Sequence, residues 1–484
     1  NPGANYQVAP AIEIAAPNDF TLEKEEVEYF QDGFGNILIG RQDGRHVFYS
    51  ADAGFVDGVT LRGPREGGTV ELENIRSNDG PVVIIGSGHT LNMTSAAPAV
   101  SGTFVEIDDN IVVHDGVDAT ITATSDYVSI FGAGKGKIDG VANSTSENLT
   151  ITDVGNVLVT GAIGSTNPIH NLTINSTGGG TINLQQAVTL EGDLHIVKGG
   201  DINIGGNVVI GGDLIIDEGA SIAFSGTLTV GGDIIIRKAI TVTFAKNVSA
   251  GGSVGIGDPN DPTAIEGVTF AATARLDVAG TVDIFTTDDI VFGNRVGQIT
   301  PPAGMTLRSD LGDVSFQASV NVSAGELEIR KARDITFAQE LNVLTLDIQD
   351  ATGQTRFERA SVIGTMEVTS TSLVQIKNRL DITVGSATLT TNDVDFAGGN
   401  GSINYLGNAA STLTIRPRTL SRDITIGSPP GVFSALDISD VDLAAIGATW
   451  PELAIGNSVA GTGTVTIGSV GSQQGAGNSQ LVTS

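Results

Sequence analysis

Apolar residues alternate with polar ones along most of this chain in short runs, the period of two that belongs to half-buried strands rather than helices. From position 188 the pattern also repeats. Val188–Ile196, Val208–Ile216 and Leu228–Ile236 align without a gap at intervals of 20 residues, and Val248–Ile256 is a more diverged fourth copy. A second mark recurs just before these segments: Leu184, Ile204, Phe224, Phe244, Phe270, Phe292, Phe316, Phe337, Phe357, Ile376 and Phe396, at spacings of 20, 20, 20, 26, 22, 24, 21, 20, 19 and 20. A fixed period of this size with Gly-Gly or Gly-Asp corners predicts a solenoid, one period per coil. The expected fold is all-β, a right-handed parallel β-helix with small helix-containing end modules.

The residue types fit that geometry. Inward side chains of one coil stack on those of the next about 4.8 Å away. Leu228/Val230 and Ile234/Ile236 supply the inward set, with Thr229 and Ile235 facing out. Phe224, Phe244, Phe270, Phe292, Phe316, Phe337, Phe357 and Phe396 are expected to form a buried ladder. Phe357, flanked by Arg356, Glu358 and Arg359, has the most polar neighbours of the set. Gly231-Gly232 and its equivalents are expected to turn corners where φ is positive. The spacing of 26 after Phe244 includes Gly257-Asp258-Pro259-Asn260-Asp261-Pro262, a turn-rich insertion that bulges one corner without breaking the stack.

Four segments are expected. Residues 1–18 read as an extended arm. Residues 19–60 read as an end module, with a short acidic helix over 21–30 and a strand at 37–40. Residues 61–410 read as one continuous β-helix about 85 Å long, from roughly 4.8 Å per coil. Residues 411–484 read as a second end module and tail. The two modules are related. Offset by 416 positions, Phe20, Leu22, Val27, Phe30, Phe34, Leu38, Ile39 and Gly40 fall on Leu436, Ile438, Leu443, Ile446, Trp450, Ala454, Ile455 and Gly456. In the second copy Ser439-Asp440-Val441-Asp442 offers a capping-box start and Gly447 a stop. Two readings of the modules stand: caps over the open ends of the stack, or matched surfaces through which one chain meets the next.

Composition narrows the setting. The chain of 484 residues has 64 Gly, no Cys, one Trp and a net charge of −30. That acidity disfavours nucleic acid and anionic membranes as partners, and nothing supports membrane insertion. Cysteine-free chains of this size suit a bacterial surface, so an extracellular or cell-surface location is expected. The start at Asn1, without Met or a basic-plus-apolar leader, is read as a mature chain whose export signal has been removed. No cofactor is expected beyond loosely bound calcium.

The Gly-Gly-Asp coils at 208–216 and 228–236 resemble the repeats of filamentous haemagglutinin-like bacterial exoproteins. The terminal module, with Leu443, Trp450, Leu453–Gly456 and Gly463–Gly468, is similar to modules of very large β-strand-repeat surface proteins of Gram-negative and related bacteria. The resemblance implies a secreted or surface-anchored β-helix used for adhesion, matrix or filament building. The Asn-Pro-rich secretion motifs of that family are not recognisable here.

Candidate chemistry is sparse. Gly132-Ala133-Gly134-Lys135-Gly136-Lys137 lacks phosphate-loop spacing and reads as a β-corner. Ser87 and His89 share a strand face but lack an orienting acid. The five His residues show no metal-ligand spacing. Gly398–Ile403 begins like a calcium nonapeptide but carries Ile403 at the ligand position, and so reads as a turn. The sequons at Asn148 and Asn171 are expected by chance in so Asn- and Thr-rich a chain. A β-helical polysaccharide lyase or glycosidase would need carboxylates clustered on one outer face. The candidates are Glu106/Asp108/Asp109, Asp288/Asp289 and Asp393/Asp395, the last pair placed to point outward together. The stacked Asp193, Asp213 and Asp233 read as turn formers that accept local backbone hydrogen bonds.

The leading expectation is a non-enzymatic structural protein that self-assembles head to tail into an extracellular filament or matrix. The assembly ends would be Phe20, Leu22, Val27, Phe30, Phe34 and Ile39 at one end, and Leu443, Ile446, Trp450 and Ile455 at the other. The strand Thr464–Ile467 would assist the joint, and the 1–18 arm would lock it by strand addition. The alternatives are a monomeric adhesin that binds host or surface glycans, and the β-helical enzyme.

Overall fold

A computed structural model describes residues 52–65, 69–132, 134–143, 146–427, 434–457, 462–468 and 479–480. Nearer the N-terminus it describes 12–14, 20–22, 27, 29–30, 32–40 and 47–50. The chain folds as a parallel β-solenoid and divides into two units, Asn1–Ala239 and Ile240–Ser484.

In the first unit the 20-residue period becomes three short strands per coil. Ile182–Leu184, Ile202–Ile204 and Ser221–Phe224 stack in register, so that Leu184, Ile204 and Phe224 lie over one another. Val188–Leu190, Val208–Ile210 and Leu228–Val230 form a second column, and Leu194–Lys198, Leu214–Ile216 and Ile234–Ile236 a third. Each three-residue strand buries its outer two side chains and turns the middle one out, as the alternation predicts.

The corners differ from expectation. Gly211, Gly212, Gly231 and Gly232 do not adopt positive φ. They are glycines because the preceding coil is too close. A Cβ on Gly231 would strike the carbonyl of Gly211, and one on Gly232 the carboxylate of Asp213. That carboxylate is not a local turn former either. Asp193 Oδ1 accepts the N–H of Asp213 at 2.7 Å, and Asp213 Oδ1 accepts that of Asp233 at 2.7 Å. The corner aspartates form a hydrogen-bonded ladder along the stack, begun by Asn171 Oδ1 accepting from Asp193 N–H at 2.7 Å.

In the second unit the ladder is aromatic. Phe270, Phe292, Phe316, Phe337, Phe357, Ile376 and Phe396 occupy equivalent register positions. From Phe244 to Phe357 successive rings stack with centroids 4.7–5.1 Å apart and planes within 16°. All are buried, Phe357 included, because its charged neighbours alternate outward. The bulge after Phe244 forms a 3-10 turn at Pro262–Ala264 and leaves the Phe244–Phe270 stack at 4.7 Å.

The region expected as a separate N-terminal module belongs to the same stack. Ile12–Ile14 pairs in parallel with Ile37–Ile39, which pairs with Val59–Arg65, so part of the expected arm is a strand and no break falls at residue 60. Phe20–Leu22 pairs with Val47–Ser50, which pairs with Thr69–Leu72. Thr21 and Leu22 are therefore strand rather than helix. Val27 is helical and buried, and the other residues of that expected helix, apart from Tyr29 and Phe30, lie outside the described ones.

Near the C-terminus a six-residue helix, Asp440–Ala445, has the expected capping box: Ser439 Oγ accepts from Asp442 N–H, and the Asp442 carboxylate accepts from Ser439 N–H. Gly447 does not end it through a left-handed turn. Its N–H donates to the Ile403 carbonyl at 2.8 Å, and a Cβ there would meet the Asn404 side chain.

Candidate functional site

The three carboxylate candidates differ in their surroundings. Glu106 and Asp108 alternate outward in their strand, whereas Asp109 is buried and bonds the Asn110 N–H. Glu106 instead accepts from the Tyr127 hydroxyl, whose pKa is pushed up to about 12 by burial and then by that hydrogen bond. Asp393 and Asp395 do not form an open pair. The helix Asp440–Ala445 and the strand Ala435–Ile438 pack on their strand, Val394–Phe396. Asp395 accepts from Gln375 Nε2 at 2.6 Å and Asp393 from Val394 N–H at 3.0 Å.

Asp288 and Asp289 do line a groove of about 490 Å³ with Glu266, Leu311 and Arg333. Its cation is already engaged: Arg333 Nε and Nη2 each donate to Asp313 at 2.8 Å. Asp289 Oδ1 accepts the Asp313 N–H at 2.8 Å, the corner ladder again. Glu266 and Asp288 stand exposed beside it.

The remaining motifs lie in turns and strands. Gly132, Gly134 and Gly136 take positive φ in a turn followed by the strand Ile138–Asp139, with no helix to hold a phosphate. Ser87 and His89 lie in a strand, and their side chains fall outside the described residues. His195 pairs with Asp217 at 2.7 Å. Gly399 and Gly401 turn the chain with positive φ, and Ile403 is buried in the next strand. Asn171 donates to the Asn148 side chain at 2.9 Å, so both sequon amides are part of a cross-coil ladder. Among the described residues no group of three or more His, Asp or Glu is placed to hold a metal ion.

The end modules are where the structure concentrates unusual features. Residues 439–450 act as a cap over the last coils. Phe396 N–H donates to Asp442 Oδ1 at 2.7 Å, Gly401 N–H to the Ala444 carbonyl at 2.9 Å, and Tyr405 N–H to Thr449 Oγ1 at 2.9 Å. Trp450 is buried, donates from Nε1 to the Ile403 carbonyl at 3.1 Å and lies 5.5 Å from the Tyr405 ring. Strand ends that would otherwise hold bare donors are thereby satisfied. Leu443 and Ile446 are half-buried in this cap, and Ile455 is buried. Burial raises the pKa of both Asp442 and Asp393. Asp395 adds repulsion at Asp442 and Asp437 at Asp393, against hydrogen bonds that act the other way.

The 416-residue offset also holds in three dimensions. Phe20–Leu22 and Ala435–Ile438 are strands. Val27 is helical, as Leu443 is. Phe30 N–H bonds the Val27 carbonyl at 3.0 Å, and Ile446 N–H bonds that of Leu443 at 3.2 Å. Ile37 sits between Ile12 and Val59, and Leu453 between Leu413 and Ser479. Both strands end at glycines with positive φ, Gly40 at 100° and Gly456 at 110°. Phe30 and Phe34 are half-buried, the former 6.1 Å from Phe55, and Ile39 is buried; the side chains of Phe20 and Leu22 lie outside the described residues.

No protein-family model, no curated protein and no solved structure matches this chain.

Proposed function

We propose that this chain is an extracellular structural protein whose copies associate head to tail into a filament or matrix, in keeping with its resemblance to haemagglutinin-like exoproteins. The observation that carries the reading is the module shared by residues 20–40 and 436–456, alike in strands, in the Phe30–Val27 and Ile446–Leu443 hydrogen bonds and in the closing glycines. Two related but unlike-placed modules favour a heterologous contact, which propagates instead of closing. Coils held by apolar ladders on the inside and by backbone-to-Asp ladders at the corners supply stiffness in a chain that has no cysteine.

The test is negative-stain microscopy together with sedimentation of the purified chain over a wide concentration range. Fibres that lengthen with concentration are expected. A chain that stays monomeric at high concentration, with and without added calcium, would point instead to a capped adhesin acting singly.

A further inference from the structure

The two copies of the end module differ in what covers them, and that difference locates a joint. In the N-terminal copy the strands are followed by another coil: Ile37–Ile39 is covered by Val59–Arg65, and Val47–Ser50 by Thr69–Leu72. In the C-terminal copy Glu452–Ile455 is covered by Ser479–Gln480. The strand Val465–Ile467 pairs with Asp423–Ile426 and, among the described residues, with nothing on its other side. Thr466 and Ile467 are exposed, Ile467 at 53%.

The hydrogen bonds show which groups are open. Ile424 N–H donates to the Thr464 carbonyl at 2.9 Å, and Gly468 N–H to the Ile426 carbonyl at 2.8 Å. Even-numbered residues of this strand thus face the inner neighbour, and in a parallel ladder the backbone groups of Val465 and Ile467 face away from it. What fits there is a short parallel strand backed by a continuing stack. Phe20–Leu22 has that form: three residues, paired in parallel with Val47–Ser50, and with no second partner among the described residues.

We propose, building on the head-to-tail reading above, that Val465–Ile467 of one copy receives Phe20–Leu22 of a second copy as a parallel strand, with Thr466 opposite Thr21. A single joint of this kind continues the ladder across two chains in one direction and leaves the same pair of edges free at the far ends.

The chain has no cysteine, so cross-linking reports the joint without background. Opposed residues on neighbouring strands lie about 4.8 Å apart, inside the Cα range of a disulfide. Under mild oxidation the double variant T21C/T466C is expected to give a ladder of covalent multimers on a non-reducing denaturing gel, collapsed by reductant. A mixture of the two single variants should stop at dimers. T21C paired with T229C, a mid-solenoid position, should give no ladder. A second variant, Ile467→Pro, removes an outward-facing donor and should reduce sedimentable polymer at least tenfold while the far-UV spectrum is kept. Fibres of T21C/T466C seen by microscopy but never covalently linked under oxidation, or dimers of T466C alone, overturn this joint and leave the head-to-tail reading standing. Absence of any association overturns both.

Discussion

At the scale of single residues, the ladder and the buried polar corners make the sharpest predictions. Phe337 is buried between Phe316 and Phe357, with ring centroids 5.1 Å away on each side. Phe337→Ala leaves a cavity and breaks two stacking contacts, so a loss of about 3–5 kcal/mol is expected in chemical denaturation. Asp153 is a different case. It is fully buried and stands in register with Ser176, whose hydroxyl donates to the Gly155 carbonyl. Asp153 Oδ1 accepts the Gly155 N–H at 2.8 Å, but Oδ2 has no partner, and burial pushes the pKa up to about 6. A carboxyl whose folded value is raised contributes most below its ordinary value near 3.8, and loses that contribution as pH rises through about 6. Stability should therefore fall between those two values, by on the order of 2–3 kcal/mol from this group. Asp153→Asn, neutral throughout, should flatten that part of the curve and be the more stable protein at pH 7. A wild-type curve flat across the window would show that Asp153 titrates as it does in the unfolded chain.

At the scale of elements, the cap formed by residues 439–450, together with the strand Ala435–Ile438 that leads into it, carries its own pH dependence. Asp442 faces Asp395 from the strand beneath, and Asp393 faces Asp437 from the cap, with Arg422 the nearby cation. Both Asp442 and Asp393 are raised by burial, so cap docking should be tightest at acid pH and loosen as pH rises through their folded values. Exchange of the Phe396 amide hydrogen, held by Asp442 at 2.7 Å, should slow on acidification by more than the intrinsic pH effect. Asp442→Ala should abolish that excess protection.

The same elements show what can be read from sequence. The Phe ladder is legible because inward positions recur at the coil period, and even the charged neighbours of Phe357 do not disturb an alternation that turns them outward. The capping box is legible because its partners lie within four residues. The glycine corners mislead because their constraint comes from the coil 20 residues away, which no local turn rule sees. Thr21 and Leu22, in the strand Phe20–Leu22, read as the start of a helix because the acidic run after them suits one, while the strand's partner Val47–Ser50 lies far along the chain. Asp393/Asp395 reads as an open pair because the cap over it is supplied from residues 435–445.

At the scale of the whole molecule, assembly must overcome charge. Each copy carries a net −30, so approaching chains repel strongly when the ionic atmosphere is thin. The screening length falls from about 30 Å at 0.01 M salt to about 8 Å at 0.15 M. A strand-to-strand joint is short-ranged and changes little over that interval, whereas the repulsion weakens greatly. Polymerisation followed by light scattering should therefore be slow in dilute buffer and accelerate steeply toward physiological salt. Removing residues 1–18 takes away the strand Ile12–Ile14 that backs Ile37–Ile39, and should weaken fibres at every salt concentration while the far-UV β signal persists. If added salt instead dissolves the fibres, the joint is held by ion pairs, and a strand-paired contact between Val465–Ile467 and Phe20–Leu22 is the wrong description of it.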